Sequence, residues 1–108
     1  ETESIMKIIN AALIAAGLAT LCQAHAADEL PLAKAKNCMS CHTLDKKLVG
    51  PAYKDVAAKY KDDKTAPAKL AAKIKAGGKG SWGEIPMPPN NVTEDEAKRL
   101  AAWVLSLK

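Results

Sequence analysis

The sequence predicts an all-α fold, a single small domain of about four short helices. Its 108 residues are enough for one such domain. No segment alternates apolar and polar residues as a β-strand does, and apolar residues instead recur at helical spacing between glycine and proline. Side-chain bulk is scarce, because the chain has no Phe, two Trp and two Tyr. Domains this small usually need a stabilising element besides their own core, so we expect the helices to wrap around a bound apolar group.

Residues 1–26 are predicted to precede the domain, which we assign to residues 27–108. From Met6 onwards they have the pattern of a secretory signal peptide. Lys7 supplies the positive charge, an apolar run follows, and Ala24-His25-Ala26 is a small-x-small cleavage motif. We therefore expect export, cleavage after this motif and a periplasmic domain.

Two other interpretations of the N-terminal region are weaker. A retained membrane anchor would need an apolar run of about 20 residues, and this run is shorter. A lipoprotein would be lipidated at Cys22, but the preceding Leu21 is larger than such sites favour. Residues 1–5 place two acidic side chains ahead of the positive charge, so we expect them to be an upstream extension. After cleavage we expect no stable membrane insertion.

The predicted domain is modestly basic. Residues 27–108 contain 15 Lys and Arg and 10 Asp and Glu, which is a net charge of +5. Such a charge steers acidic partners towards the surface. The basic residues are interspersed with acidic residues and alanine, so we expect no nucleic-acid partner.

The first two predicted helices are short. The first begins at Glu29 or Leu32, ends at Cys38, and is rich in alanine, leucine and lysine. The second covers residues 53–61, directly after a Gly-Pro turn, and places its apolar residues on one face.

The third and fourth helices carry end signals. The third begins near Ala66, with Thr65 as its predicted N-cap and proline in its first turn, and ends at a Gly-Gly pair. The fourth begins with a capping box formed by Thr93 and Glu96. Its predicted apolar face consists of Ala97, Leu100, Ala101, Val104 and Leu107. A glycine- and proline-rich loop, residues 78–91, joins the two and is long enough to be functional.

A Cys-x-x-Cys-His motif carries the chemistry. Cys38, Cys41 and His42 have the spacing of a c-type haem attachment site, in which each thiol adds to one vinyl group and the histidine ligates the iron. We therefore predict one covalent haem c with His42 as an axial ligand. A disulfide would be strained across so short a loop, a thioredoxin-like pair would need a preceding strand, and zinc would need four ligands.

Elimination assigns the second iron ligand to Met87. His25 leaves with the signal peptide, Met6 is the predicted start, and Met39 lies inside the attachment motif. Prolines on both sides of Met87 would hold it in a rigid loop. The alternative is that Met87 is a core filler, which would leave a five-coordinate iron.

Three motifs and the C-terminal helix together resemble a known family. They are residues 38–42 (CMSCH), 49–57 (VGPAYKDVA), 82–90 (WGEIPMPPN) and 97–108. With them the chain resembles the small class I bacterial cytochromes of the c-551/c-552 type (cytochrome c8) over essentially the whole predicted domain. It departs from them at Ala33 and Tyr60, where some relatives carry Phe, and at Asn37, where Gly is frequent.

The resemblance implies further roles around the haem. Pro51 would offer its carbonyl to the ring N–H of His42, a contact that fixes the tautomer. Trp82 would donate its indole N–H to a haem propionate, and Lys73 would lie beside that propionate. Asn90 would hydrogen-bond near the sulfur of the axial methionine. The plainer interpretations are a turn-forming proline, a core tryptophan and a solvated lysine.

The resemblance also implies a monomeric electron carrier and not an enzyme. Its partners would be redox proteins of the respiratory chain such as a haem-containing nitrite reductase, a terminal oxidase or a quinol-oxidising complex. The rival hypotheses are an enzyme (a peroxidase or a thiol–disulfide oxidoreductase) and a gas-binding sensor with an open distal site. The sequence offers an enzyme no distal acid–base pair. The lysines that could line a docking face, or simply be solvated, are Lys34, Lys36, Lys46 and Lys47.

Overall fold

The computed structural model describes residues 27–108, and the predicted signal peptide lies outside these residues. The described chain forms four α-helices: α1 (Leu30–Ala35), α2 (Tyr53–Lys59), α3 (Ala66–Ala76) and α4 (Glu94–Ser106). A 3-10 turn, Cys38–Ser40, follows α1. The described part contains no strand, so the all-α prediction is confirmed. None of its helices is long and apolar enough to cross a membrane.

The first helix ends earlier than predicted because the backbone reverses at Asn37. Its φ of 62° lies in the left-handed region, where α1 cannot continue and the 3-10 turn begins. Asn tolerates this conformation better than other side chains, which explains how it replaces the glycine frequent at this position. The helix therefore stops at Ala35, and Cys38 lies in the turn that follows.

The predicted N-cap position of α3 is confirmed, but it lacks the expected side-chain hydrogen bond. Thr65 is the N-cap residue, but its side chain accepts no hydrogen bond from the helix. Its hydroxyl and its backbone N–H instead both donate to Asp63 Oδ1, at 2.6 Å and 2.8 Å. These two bonds hold the pKa of Asp63 below its ordinary value. The backbone of Thr65 is already near-helical, with φ of −90° and ψ of −7°, and not in the extended conformation from which an N-cap side chain usually reaches the helix N–H groups.

The capping box of α4 is confirmed. The Glu96 backbone N–H donates to Thr93 Oγ1 at 3.1 Å, and the Thr93 backbone N–H donates to Glu96 Oε1 at 2.9 Å. Three acidic residues in the first turn complement the positive end of the helix dipole. The longest described helix therefore begins at the residue that its local sequence specifies.

Helix α4 packs against α2 and α3 to form a core of small side chains. Alanine supplies seven of the fourteen buried apolar residues in the described chain. The bulky members include Tyr53, Leu100 and Trp103. Trp103 lies outside the predicted face, yet it is 5% exposed and packs against Tyr53, with ring centroids 5.5 Å apart and planes inclined by 78°. Leu107 lies beyond the helix end and is half-buried.

Candidate functional site

The 3-10 turn brings the three residues of the Cys-x-x-Cys-His motif together. The backbone N–H groups of Cys41 and His42 both donate to the Cys38 carbonyl, at 3.2 Å and 3.0 Å. This tight turn brings two cysteines and a histidine from one short stretch of chain to the same cavity. Both cysteines are free thiols, and no disulfide joins them. Burial raises the pKa of the Cys38 thiol.

His42 is held in one orientation by contacts with the next loop. Its Nδ1 lies 2.8 Å from the Pro51 carbonyl oxygen. A carbonyl can only accept, so Nδ1 carries the proton and donates, which leaves the Nε2 lone pair available to a metal. The ring also stacks on Tyr53, with centroids 4.9 Å apart and planes inclined by 22°. Burial raises the pKa of Tyr53, so its hydroxyl stays protonated.

Gly50 permits this close packing. A Cβ at this position would lie 2.4 Å from His42 Cε1 and 2.8 Å from Nδ1. Its backbone N–H donates to the Cys41 carbonyl at 2.7 Å, which ties the two loops together. Sequence reasoning treated Gly50 only as part of a turn. Its position directly before the Pro51 carbonyl was the available signal for a close approach of the backbone.

Met87 faces the site from the loop between α3 and α4. Its backbone pairs with Gly78 in an isolated antiparallel bridge, with bonds of 2.8 Å and 3.0 Å. Gly77, with φ of 73°, ends α3 so tightly that a Cβ there would lie 2.5 Å from the Met87 carbonyl. Met87 is therefore held at a defined backbone position next to the end of α3.

A cavity of about 380 Å³ lies between the His42 loops and the Met87 loop. This volume is within the usual range for small-molecule and cofactor sites. Its apolar wall includes Leu70, Ile74, Leu100 and Val104. Seven of the eight predicted site residues line it: Cys38, Cys41, His42, Pro51, Lys73, Trp82 and Met87. Two free thiols, an oriented imidazole, a thioether and an apolar wall are the groups that a covalently bound haem requires.

Lys73 and Trp82 lie at different parts of this wall. The Lys73 ammonium lies over Gly78, where a Cβ would come within 2.6 Å of Nζ. Trp82 is 43% exposed. The Lys59 ammonium lies 4.5 Å from the centre of its ring. Sequence reasoning missed Lys59, because its helix and the Trp82 loop are far apart in the chain.

Asn90 is the predicted site residue that does not line the cavity. Its side-chain amide donates to the Ile74 carbonyl at 2.9 Å, and its backbone N–H donates to the Lys75 carbonyl at 3.3 Å. These bonds tie the loop after Met87 to the last turn of α3. The predicted hydrogen bond near the Met87 sulfur stays a prediction.

The chain is similar to known cytochromes c in sequence and in structure. The family model described as cytochrome c matches residues 31–108. Cytochrome c-552 of Hydrogenobacter thermophilus is 62% identical over 77 residues, which are 71% of this chain and 79% of that protein. Cytochrome c-551 of Pseudomonas aeruginosa is 54% identical over 96 residues, 89% of this chain and 92% of that protein. The crystal structure of wild-type Nitrosomonas europaea cytochrome c552 is 57% identical and superposes with a TM-score of 0.70, covering 72% of this chain and 98% of that one.

Proposed function

The chain belongs to the cytochrome c family of monohaem electron carriers, and we propose that it acts in the periplasm with His42 and Met87 as the axial ligands of its haem iron. When bound, the haem supplies one-electron oxidation and reduction. The protein is an electron carrier and not an enzyme, as the resemblance implied. Its own residues would hold the group and orient its ligands.

Cys38 and Cys41 would hold the haem covalently through thioether bonds. The observation that carries the proposal is that these two thiols line one cavity together with His42 and Met87. His42 supports it further, because the hydrogen bond to Pro51 leaves Nε2 free for iron. This contact and the stacked Tyr53 ring allow little rotation of the imidazole, so little reorganisation accompanies electron transfer.

Met87 is favoured over Met39 as the second ligand. Of these two described methionines, Met39 packs against the apolar core, and Met87 lines the cavity. A methionine ligand opposite histidine raises the reduction potential relative to two histidines. We therefore propose a carrier of comparatively high potential.

Trp82 and Lys73 are proposed partners of a haem propionate. Both line the cavity, and each offers an N–H donor. Asn90 is proposed to orient the methionine ligand through the loop that it ties to α3. If these residues only pack or are solvated, substituting them would leave the haem spectrum unchanged.

The redox partners are proposed to be acidic proteins, such as a haem-containing nitrite reductase, a terminal oxidase or a quinol-oxidising complex. Lys47 and Lys79 lie at the cavity wall, where they can steer such a partner towards the haem. Of the other predicted docking lysines, Lys36 lies 3.8 Å from Glu96. We propose that the carrier acts as a monomer that makes small, transient contacts with these partners.

The test is an absorption spectrum of protein produced with export and c-type maturation. We expect sharp c-type bands in the reduced state and a weak far-red band in the oxidised state, which reports the methionine–iron bond. Met87→Ala should abolish the far-red band and allow carbon monoxide to bind. Met39→Leu is the matched control and should keep the band.

Two results would contradict the proposal. A far-red band that survives Met87→Ala would exclude this residue as the ligand. Covalent haem without that band in the unsubstituted protein would instead favour a gas sensor or a peroxidase with an open distal position.

A further inference from the structure

The tip of the loop that carries Trp82 has little packing of its own. Gly80 and Gly83 flank it with φ of 101° and 113°, and the Gly80 N–H donates to the Gly83 carbonyl at 3.0 Å. Space is open around both glycines. Trp82 itself is 43% exposed and Ile85 is 68% exposed. Burial alone therefore does not determine where the indole lies.

Lys59, the last residue of α2, contacts this tip at two points. Its ammonium donates to the Ser81 carbonyl at 2.9 Å and lies 4.5 Å from the centre of the Trp82 ring. Within residues 27–108, the Lys59 bond and the Gly80–Gly83 bond are the hydrogen bonds made by residues 79–86. The Lys59 contacts span 22 residues and attach the loop tip to the helical body.

Lys59 has no other strong partner in the described structure. It forms no ion pair with a carboxylate there, and its second aromatic neighbour, Tyr60, is farther away at 5.5 Å. It does not line the cavity, whereas Trp82 does. Its closest contacts with the lining of the cavity are therefore those with Ser81 and Trp82 in the loop.

We propose that Lys59 is a positioning residue for Trp82: by holding the Ser81 carbonyl and the indole face together, it fixes the indole at the cavity wall and places a positive charge beside it. This inference rests on the proposed function for its second consequence, which concerns the bound haem. A positive charge near the iron favours the reduced state, which carries one fewer positive charge. Loss of Lys59 should therefore both loosen Trp82 and lower the reduction potential.

Three variants separate positioning from simple charge. Lys59→Met removes the ammonium but keeps a long side chain, and Lys59→Arg keeps a cation that can donate and stack. Lys61→Met removes a charge two residues away. Lys61 is exposed, like Lys59, and it forms no ion pair or side-chain hydrogen bond in the described chain. The first readout is hydrogen exchange of the Trp82 indole N–H by NMR on the protein as purified. The second is the reduction potential.

We expect the indole to exchange about tenfold faster in Lys59→Met, since one hydrogen bond and one cation–π contact are lost. Lys59→Arg should stay within about twofold of the unsubstituted protein. Lys61→Met should leave the exchange rate unchanged and lower the potential less than Lys59→Met does.

Equal exchange rates in Lys59→Met and Lys61→Met would overturn the proposal. Equal falls in potential in these two variants would also overturn it, because Lys59 would then act only as a surface charge. The exchange measurement does not depend on the identity of the bound group. The absorption spectrum of the unsubstituted protein tests the proposed function separately, so the two failures are distinguishable.

Discussion

Glu29 and Arg99 form a two-point ion pair that joins the start of α1 to α4. Arg99 Nε and Nη2 each donate to one oxygen of the Glu29 carboxylate, both at 2.9 Å. The Glu29 side chain is 8% exposed and the Arg99 side chain 48%. The two residues are 70 positions apart in the sequence, so the pair joins the first helix of the domain to the last.

Removing Arg99 should destabilise the protein, because it leaves a buried carboxylate without its cation. We expect Arg99→Met to lower the free energy of unfolding, measured by urea titration, by more than a control variant does. The control is Asp95→Asn, which removes the exposed partner of the same arginine at 3.7 Å. It should cost under about 1 kcal/mol, because it removes an exposed ion pair and one of the three acidic residues at the start of α4. Equal losses in the two variants would show that burial of Glu29 does not matter.

The capping box should make stability depend on pH. The hydrogen bond from the Thr93 backbone N–H holds the pKa of Glu96 below its ordinary value of 4.5. A pKa lowered by folding stabilises the protein above the unfolded value, and this contribution is lost as the pH falls through the folded value. We expect Tm to fall from about pH 5 downwards, and to fall less steeply in Glu96→Gln.

The glutamine in that variant can still cap the helix, so only the ionisable part of the interaction is removed. Asp62→Asn, at an exposed position, is the control and should keep the pH dependence of the unsubstituted protein. An unchanged slope in Glu96→Gln would mean that the other carboxylates account for the acid transition.

Gly50→Ala should displace the histidine ligand. The new methyl group would lie 2.4 Å from His42 Cε1, so either the ring or the loop must move. We expect a weakened His42–Pro51 hydrogen bond, a changed haem spectrum and a lower Tm. Gly80→Ala is the contrasting variant, because its Cβ meets open space and only the backbone is strained. It should leave the spectrum unchanged, and identical spectra in both variants would refute the steric argument.

Trp103→Ala should remove one of the few large side chains in an alanine-rich core. Trp103 is 5% exposed and packs against Tyr53 with ring planes inclined by 78°, and Tyr53 in turn stacks on His42. We expect a loss of about 3–5 kcal/mol in urea unfolding. Leu105→Ala, at a half-buried position of the same helix, should cost less. A comparable loss would show that Trp103 has no special place in the core.

The sequence predicted the parts of this protein that depend on neighbouring residues. The start of α4 follows from Thr93 and Glu96, which lie three residues apart and bond within one helical turn. The haem attachment prediction likewise depends on five consecutive residues. At Thr65 the local sequence predicted the N-cap position but not its hydrogen bonds, because the hydroxyl donates to Asp63 and accepts no bond from the helix.

Contacts between distant residues could not be predicted in the same way. The tyrosine ring on His42, the lysine on Trp82 and the arginine on Glu29 join segments separated by 11, 23 and 70 residues. Periodicity on one helix does not show which helix will cover its other sides, and so it missed Trp103.

The sequence by itself therefore determined the all-α class, the attachment motif and the start of the last helix, because short-range hydrogen bonds and residue spacing specify them. The tertiary structure alone decided how the imidazole is oriented, what holds the indole at the cavity wall and how the two ends of the domain are joined. These features depend on where the folded chain brings side chains from different segments together, and no local sequence pattern encodes those positions.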